Sequence, residues 1–155
     1  MTGTTASGKS ALAHKIAKEK NIPILSLDSM AVYRGLDILT AKPTEAMREE
    51  VLYYGLDIAE TDQNFSVVDY LNYLIDVNIP QLSFEQDILV VGGTGLYYKS
   101  IIDSYEFRPT DPTIRAELEQ LNYEQLIKFH KLHEINLPTS EINKRRLIRN
   151  IENNI

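Results

Sequence analysis

The stretch that most constrains this chain stands at its start. Gly3 to Ser10, "GTTASGKS", satisfies the phosphate-loop pattern G-x-x-x-x-G-K-[ST]. Gly3 and Gly8 let backbone amides converge on phosphate oxygens, and a helix opening at Lys9 adds its positive dipole end. Lys9 supplies a mobile cation, and Ser10 a hydroxyl suited to Mg²⁺. Residues Gly3, Thr4, Thr5, Ala6, Ser7, Gly8, Lys9 and Ser10 are therefore read as the binding loop for a diphosphate or triphosphate, a nucleotide such as ATP included. A loop of this kind hangs from a buried strand, yet only Met1 and Thr2 precede it. The strand is expected to be missing, and the neighbouring strands to lack a partner.

The rest of the pattern is that of an α/β chain. A helix is predicted from Lys9 to about Lys20, with Ala11, Leu12, Ile16 and Ala17 near helical spacing. "ILSL", ending at Asp28, reads as a buried parallel strand. Thr44 to Val51 reads as a short helix and "LYYGLDI" as a weaker strand. A helix follows over Phe65 to Val77, with Ser66 as N-cap, Asp69 in the capping position, and Val68, Leu71, Leu74 and Ile75 as its apolar stripe. "DILVVGGTGLYYKSII" gives a strand to Val91, a glycine turn, and a helix from about Leu96. Beyond Arg108 polar helices are broken at Pro109, Pro112 and Pro138. The expected architecture is a phosphate-loop NTPase-like parallel sheet with flanking helices over 1–108, a helical accessory segment over 109–143, and a basic helix over 144–155 returning to the core.

Two further strand-end turns carry chemistry. Asp28 could coordinate Mg²⁺ or act as a general base, or simply hold a turn. In "VGGTG", Gly92, Gly93 and Gly95 admit a close ligand and Thr94 offers a hydroxyl. No acidic residue closes an apolar strand as in an ATPase, which argues against nucleotide hydrolysis.

Composition narrows the class. With 155 residues, 43% hydrophobic and 25% charged, the chain is ordinary for a globular domain. The absence of cysteine excludes disulfides and thiolate metal sites and agrees with a cytoplasmic protein. No apolar run reaches the length of a membrane span. The net charge of −6 opposes a general nucleic-acid coat, but Lys144, Arg145, Arg146 and Arg149 form a local basic cluster. On a helical wheel Leu147, Ile148, Ile151 and Ile155 lie opposite those arginines. Guanidinium groups suit phosphates, although a solvated basic face is the plainer reading.

Taken together, "GTTASGKS", "LDSMAVYRGLDILTAKPT", "VGGTGLYYKS", "DPTIRAELE" and "RRLIRNIE" resemble the tRNA dimethylallyltransferases, or tRNA isopentenyltransferases. The second block is the most specific. The resemblance implies transfer of a five-carbon unit from dimethylallyl diphosphate to N6 of the adenosine 3′ of a tRNA anticodon. It implies Mg²⁺ as cofactor, tRNA and dimethylallyl diphosphate as partners, and a monomer. The loop, with Lys9, would then grip the leaving diphosphate, Asp28 would take the N6 proton, and Thr94 would stand near the reacting groups. Asp28, Ser29, Met30, Ala31, Thr94, Arg115, and Arg145, Arg146, Leu147, Ile148 and Arg149 match tRNA-contacting positions. Thr4, Ala31, Leu39 and the Tyr53–Tyr54 pair depart from the residues usual in that family. Family members carry about as much chain again after "RRLIRNIE", so a partial sequence is expected. Competing readings are a small-metabolite phosphate-loop kinase, an adenylate prenyltransferase, and an inactive fragment.

Overall fold

The computed structural model describes residues 1–3, 7–103, 107, 111–139 and 142–155. The chain divides into two compact units, Met1–Glu106 and Phe107–Ile155.

The first unit is built on a parallel sheet. Its strands are β1 (Ile24–Leu27), β2 (Tyr53–Tyr54) and β3 (Leu89–Gly92), in the order β2-β1-β3. Ile24 pairs with Tyr53 on one side and Leu89 on the other, and Leu27 with Gly92. β1 and β3 thus pair directly. Met1 sits on the far side of β3, where its amino group donates to the Val90 carbonyl and its carbonyl accepts the Gly92 N–H. Among the described residues, Met1 thus meets the outer edge of β3, which was expected to lack a partner.

Strand periodicity then divides β1 between two cores. Leu25 and Leu27 point into a cluster with Val32, Tyr70, Leu74, Ile79 and Tyr97. Ile24 points to the other face, with Ala13, Ala17, Val51 and Val91. That second face is covered by α1 (Lys9–Lys20), which buries Ala13 and Ala17 and leaves Leu12 exposed. The helix is as expected but its inward face is turned. Two alanines four residues apart let the backbone approach the sheet more closely than Leu12 would allow.

The first face is covered by α3 (Val67–Asp76), α4 (Ile79–Glu85) and α5 (Gly95–Ile102). Ser66 and Asp69 form the expected capping box on α3. Its buried residues are Tyr70 and Leu74, whereas Val68 and Ile75 face solvent. Tyr70 displaces them because its ring stacks on Tyr97 at 4.5 Å and its hydroxyl donates to the Ser26 carbonyl at 2.6 Å. Helix α4, which no sequence pattern signalled, starts after Asn78 in the left-handed region, with a proline in its first turn. The short helix α2 (Glu45–Glu50) begins on a Thr44 side-chain cap.

The second unit packs α6 (Pro112–Gln120), α7 (Tyr123–Leu132) and α8 (Lys144–Glu152) around Leu118, Leu126, Leu147, Ile148 and Ile151. The segment 144–155, set apart in the sequence as a helix returning to the core, buries its apolar side against α6 and α7 in this unit. Among the described residues no helix is long and apolar enough to cross a membrane.

Candidate active site

Because β1 and β3 are parallel, the turns that follow them leave the sheet at the same edge, and α1 starts there too. Gly8 caps α1 with φ 78°, a left-handed conformation that disfavours any side chain. Gly92 is required for a different reason, since a Cβ there would lie 2.3 Å from the Leu27 carbonyl oxygen. At Gly93 a Cβ would meet nothing within 4 Å, so this glycine faces open space.

That space is a cleft of about 480 Å³. Ser7, Gly8, Lys9 and Ser10 line it from the phosphate loop, and Ser26 and Asp28 from β1 and its turn. Gly92 and Gly93 close one side, and Thr40, Ala41, Lys42 and Pro43 the opposite side. Thr4, Thr5 and Ala6 of the expected loop lie outside the described residues.

Asp28 does two things at once. Its Oδ1 accepts the Met30 N–H at 2.8 Å and the Ala31 N–H at 3.3 Å, so one oxygen holds the turn. The other, Oδ2, takes no hydrogen bond from the described residues, and the side chain lines the cleft. Thr94 does not line the cleft. Its Oγ1 accepts the Ser29 N–H at 3.1 Å and donates to Ser29 Oγ at 3.3 Å, while its own N–H donates to the Leu27 carbonyl. Thr94 therefore braces the Asp28 turn against the start of α5. Beneath them burial pushes the Tyr97 hydroxyl up to about 12, with Tyr33, Asp69 and Asp28 adding negative potential.

The remaining expected contacts separate into surface and interior. Ser29 is half-buried and Met30 exposed, but Ala31 is buried, its N–H on Asp28 and its carbonyl on the Asp57 N–H. On α8, Arg145 and Arg146 are exposed and Arg149 half-buried. Leu147 and Ile148, placed in the same tRNA-contacting run, belong to the helical core and cannot present side chains to a partner. Arg115 is engaged too. Its guanidinium makes a two-pronged pair with Glu152, both bonds 2.5 Å, and Arg149 reaches the same carboxylate at 3.4 Å. Arg115 holds Glu152 below the usual carboxylate range, Arg149 assists, and burial opposes both.

A charged network beside the cleft escaped the sequence reading. Lys42, its side chain fully buried, donates to the Tyr33 carbonyl and Asp57 Oδ1, each at 2.6 Å, and sits 3.1 Å from Asp37. Arg48 donates to Asp57 Oδ2 at 2.5 Å and to the Pro43 carbonyl at 3.0 Å. Burial raises the Asp57 carboxyl, but Lys42 and Arg48 together hold it below its ordinary value. Lys42 stands in "TAKPT", the signal that could have found it; nothing near Asp57 marked that residue.

A family model described as IPP transferase matches residues 31–154. The chain belongs to the IPP transferase family. The model starts at Ala31, so the phosphate loop and Asp28 rest on matches along the whole chain. The tRNA dimethylallyltransferase of Pelotomaculum thermopropionicum is 38% identical over 98% of this chain and 51% of its own length. That of Lactococcus lactis is 39% identical over 98% of this chain and 53% of its own. The full-length tRNA isopentenylpyrophosphate transferase from Bacillus halodurans superposes with a TM-score of 0.62 at 32% identity, over 97% of this chain and 52% of that one. A eukaryotic dimethylallyltransferase acting on tRNA has a TM-score of 0.72 at 22% identity, over 96% of this chain and 39% of that one, a likeness of fold. This IPP transferase chain spans about half the length of the curated relatives it matches.

Proposed function

We propose that the chain carries the donor site and general base of a tRNA prenyl transfer. In this reaction the C1–oxygen bond of dimethylallyl diphosphate breaks, and C1 bonds to N6 of the adenosine 3′ of the anticodon. The diphosphate leaves, and the N6 proton passes to Asp28 Oδ2. The observation that carries this reading is the cleft itself, which has phosphate-loop residues on one wall and, on the floor, a carboxylate oxygen that takes no hydrogen bond from the described residues.

The loop amides and Lys9 would bind the diphosphate and stabilise the charge that grows on it as the bond breaks. Asp28 would be oriented by the bonds to Oδ1, which leave Oδ2 aimed at a base that has left its stack. Thr94 would act through Ser29 as a positioning residue. Among the described residues no group of three or more His, Cys, Asp or Glu could hold a metal. A cation would therefore depend on the Ser10 hydroxyl and the diphosphate oxygens, hard oxygen donors that suit Mg²⁺. Bound there, Mg²⁺ would offset negative charge on the leaving group. Arg145 and Arg146 would meet the tRNA backbone, with Arg115 holding α8 in place. The protein would act as a cytoplasmic monomer.

Diphosphate release tests this reading. With dimethylallyl diphosphate and Mg²⁺ present, release is expected to require tRNA. Release that follows AMP and ignores tRNA would contradict it, as would turnover of ATP onto a small acceptor.

A further inference from the structure

The residues of β1 that face α1 form a row along the cleft floor. Asp28 stands at the mouth beside Lys9 and Ser10, Ser26 follows, and Ile24 lies at the inner end. Here Ala13 and Ile24 are 1% and 3% exposed, so the inner end is built of packed core. Tyr53 pairs in register with Ile24, packs against the same cluster and lines the cleft.

Tyr53 is held at both ends. Its backbone belongs to β2, and its hydroxyl lies 2.9 Å from Nδ1 of His14 on α1. His14 Nε2 lies 3.0 Å from Glu50, which also accepts from Lys18 at 2.7 Å. A carboxylate can only accept, so His14 Nε2 donates to Glu50 and the imidazole is fixed from that side. The two rings lie 7° from parallel with centroids 6.3 Å apart. Tyr53 cannot swing aside without breaking its bond to His14, a ring that Glu50 holds from the other side.

We infer that Tyr53 closes the inner end of the cleft and limits the donor to a single five-carbon unit. This rests on the donor reading above. From Ser26 to Ile24 the strand rises about 7 Å. A dimethylallyl group spans three carbon–carbon bonds, about 4 Å, and fits that length; a second isoprene unit would run into the Tyr53 ring. The wall sets the limit, since each buried methylene otherwise favours binding roughly fourfold.

Calorimetric titration of the chain, in Mg²⁺, with inorganic diphosphate, dimethylallyl diphosphate and geranyl diphosphate tests the inference. The native chain is expected to bind the five-carbon donor more tightly than inorganic diphosphate, and to gain nothing from the ten-carbon one. In Tyr53→Ala the ratio of ten-carbon to five-carbon affinity should rise by about tenfold or more. Tyr53→Phe keeps the ring but loses the His14 bond, and should raise the ratio by less than Tyr53→Ala does. If thermal melting shows Tyr53→Ala unfolded, Tyr53→Leu opens the same end and should raise the ratio in the same direction. An unchanged ratio in the folded variant, with the five-carbon donor still bound, overturns the role of Tyr53 and leaves the phosphate-loop reading intact. A native chain that binds both donors no better than inorganic diphosphate also overturns it, because the hydrocarbon then lies outside the cleft. Failure to bind inorganic diphosphate overturns the phosphate-loop reading and this inference with it.

Discussion

Thr94 Oγ1 accepts the backbone N–H of Ser29 at 3.1 Å, which joins two strand-end turns that lie 65 residues apart in the chain. The bond fixes where Asp28 stands relative to the start of α5, and so relative to the glycine wall of the cleft. Thr94→Ala should lower prenyl transfer by about 10²-fold, the scale of a small misplacement of reacting groups. Diphosphate affinity should stay within about twofold, since the loop is untouched. Thr94→Ser keeps the oxygen and should restore the rate.

Asp28 holds a turn with one oxygen and is proposed to accept a proton with the other. Asp28→Asn keeps an acceptor for the Met30 and Ala31 amides but is no base. Transfer should fall by about 10²–10⁴-fold, the usual contribution of a positioned base, while the melting temperature stays near that of the native chain. Matched stopped-flow and melting measurements check this. Loss of stability with retained transfer would make Asp28 a turn residue alone.

The Lys42–Asp57–Arg48 network should show in the acid limb of stability. The Asp57 carboxyl is held below its unfolded value. Its contribution is present above about pH 4 and lost as pH falls through the lowered value. Asp57→Asn leaves Lys42 buried with a weaker partner and should cost about 3 kcal/mol at neutral pH. Urea unfolding at several pH values should give a flatter acid limb for this variant than for the native chain.

On α8 two arginines have different tasks. Arg145→Glu should leave melting unchanged and reduce the salt dependence of tRNA binding by about one charge. Arg115→Ala removes the two-pronged partner of a carboxylate whose side chain is 4% exposed and leaves it Arg149 at 3.4 Å, so it should lower the melting temperature of the helical unit. Any loss of tRNA binding there should follow the loss of structure.

Elements with a local cause were legible in the sequence. The Ser66–Asp69 capping box and the apolar run Ile24–Leu27 are decided by residues near each other, and both stand where the pattern put them. The parallel pairing of β1 and β3 then brings the Asp28 and Gly93 turns to one sheet edge. Partners far apart in sequence left no such trace. The inward turn of Tyr70 depends on Tyr97 and on the Ser26 carbonyl, and the burial of Lys42 on Asp57. Leu147 and Ile148 show the converse, since one short helix gives the apolar core and the basic surface, and a match to the whole run does not separate them.

The proposed reaction places a five-carbon group on one atom of one nucleoside. The most direct measurement is mass-spectrometric mapping of tRNA nucleosides after incubation with dimethylallyl diphosphate and Mg²⁺. The expected result is a single prenyl group on N6 of the adenosine 3′ of the anticodon, absent when Asp28→Asn replaces the native chain. Unmodified tRNA beside prenylated AMP, or modification that persists without the Asp28 carboxylate, would contradict it.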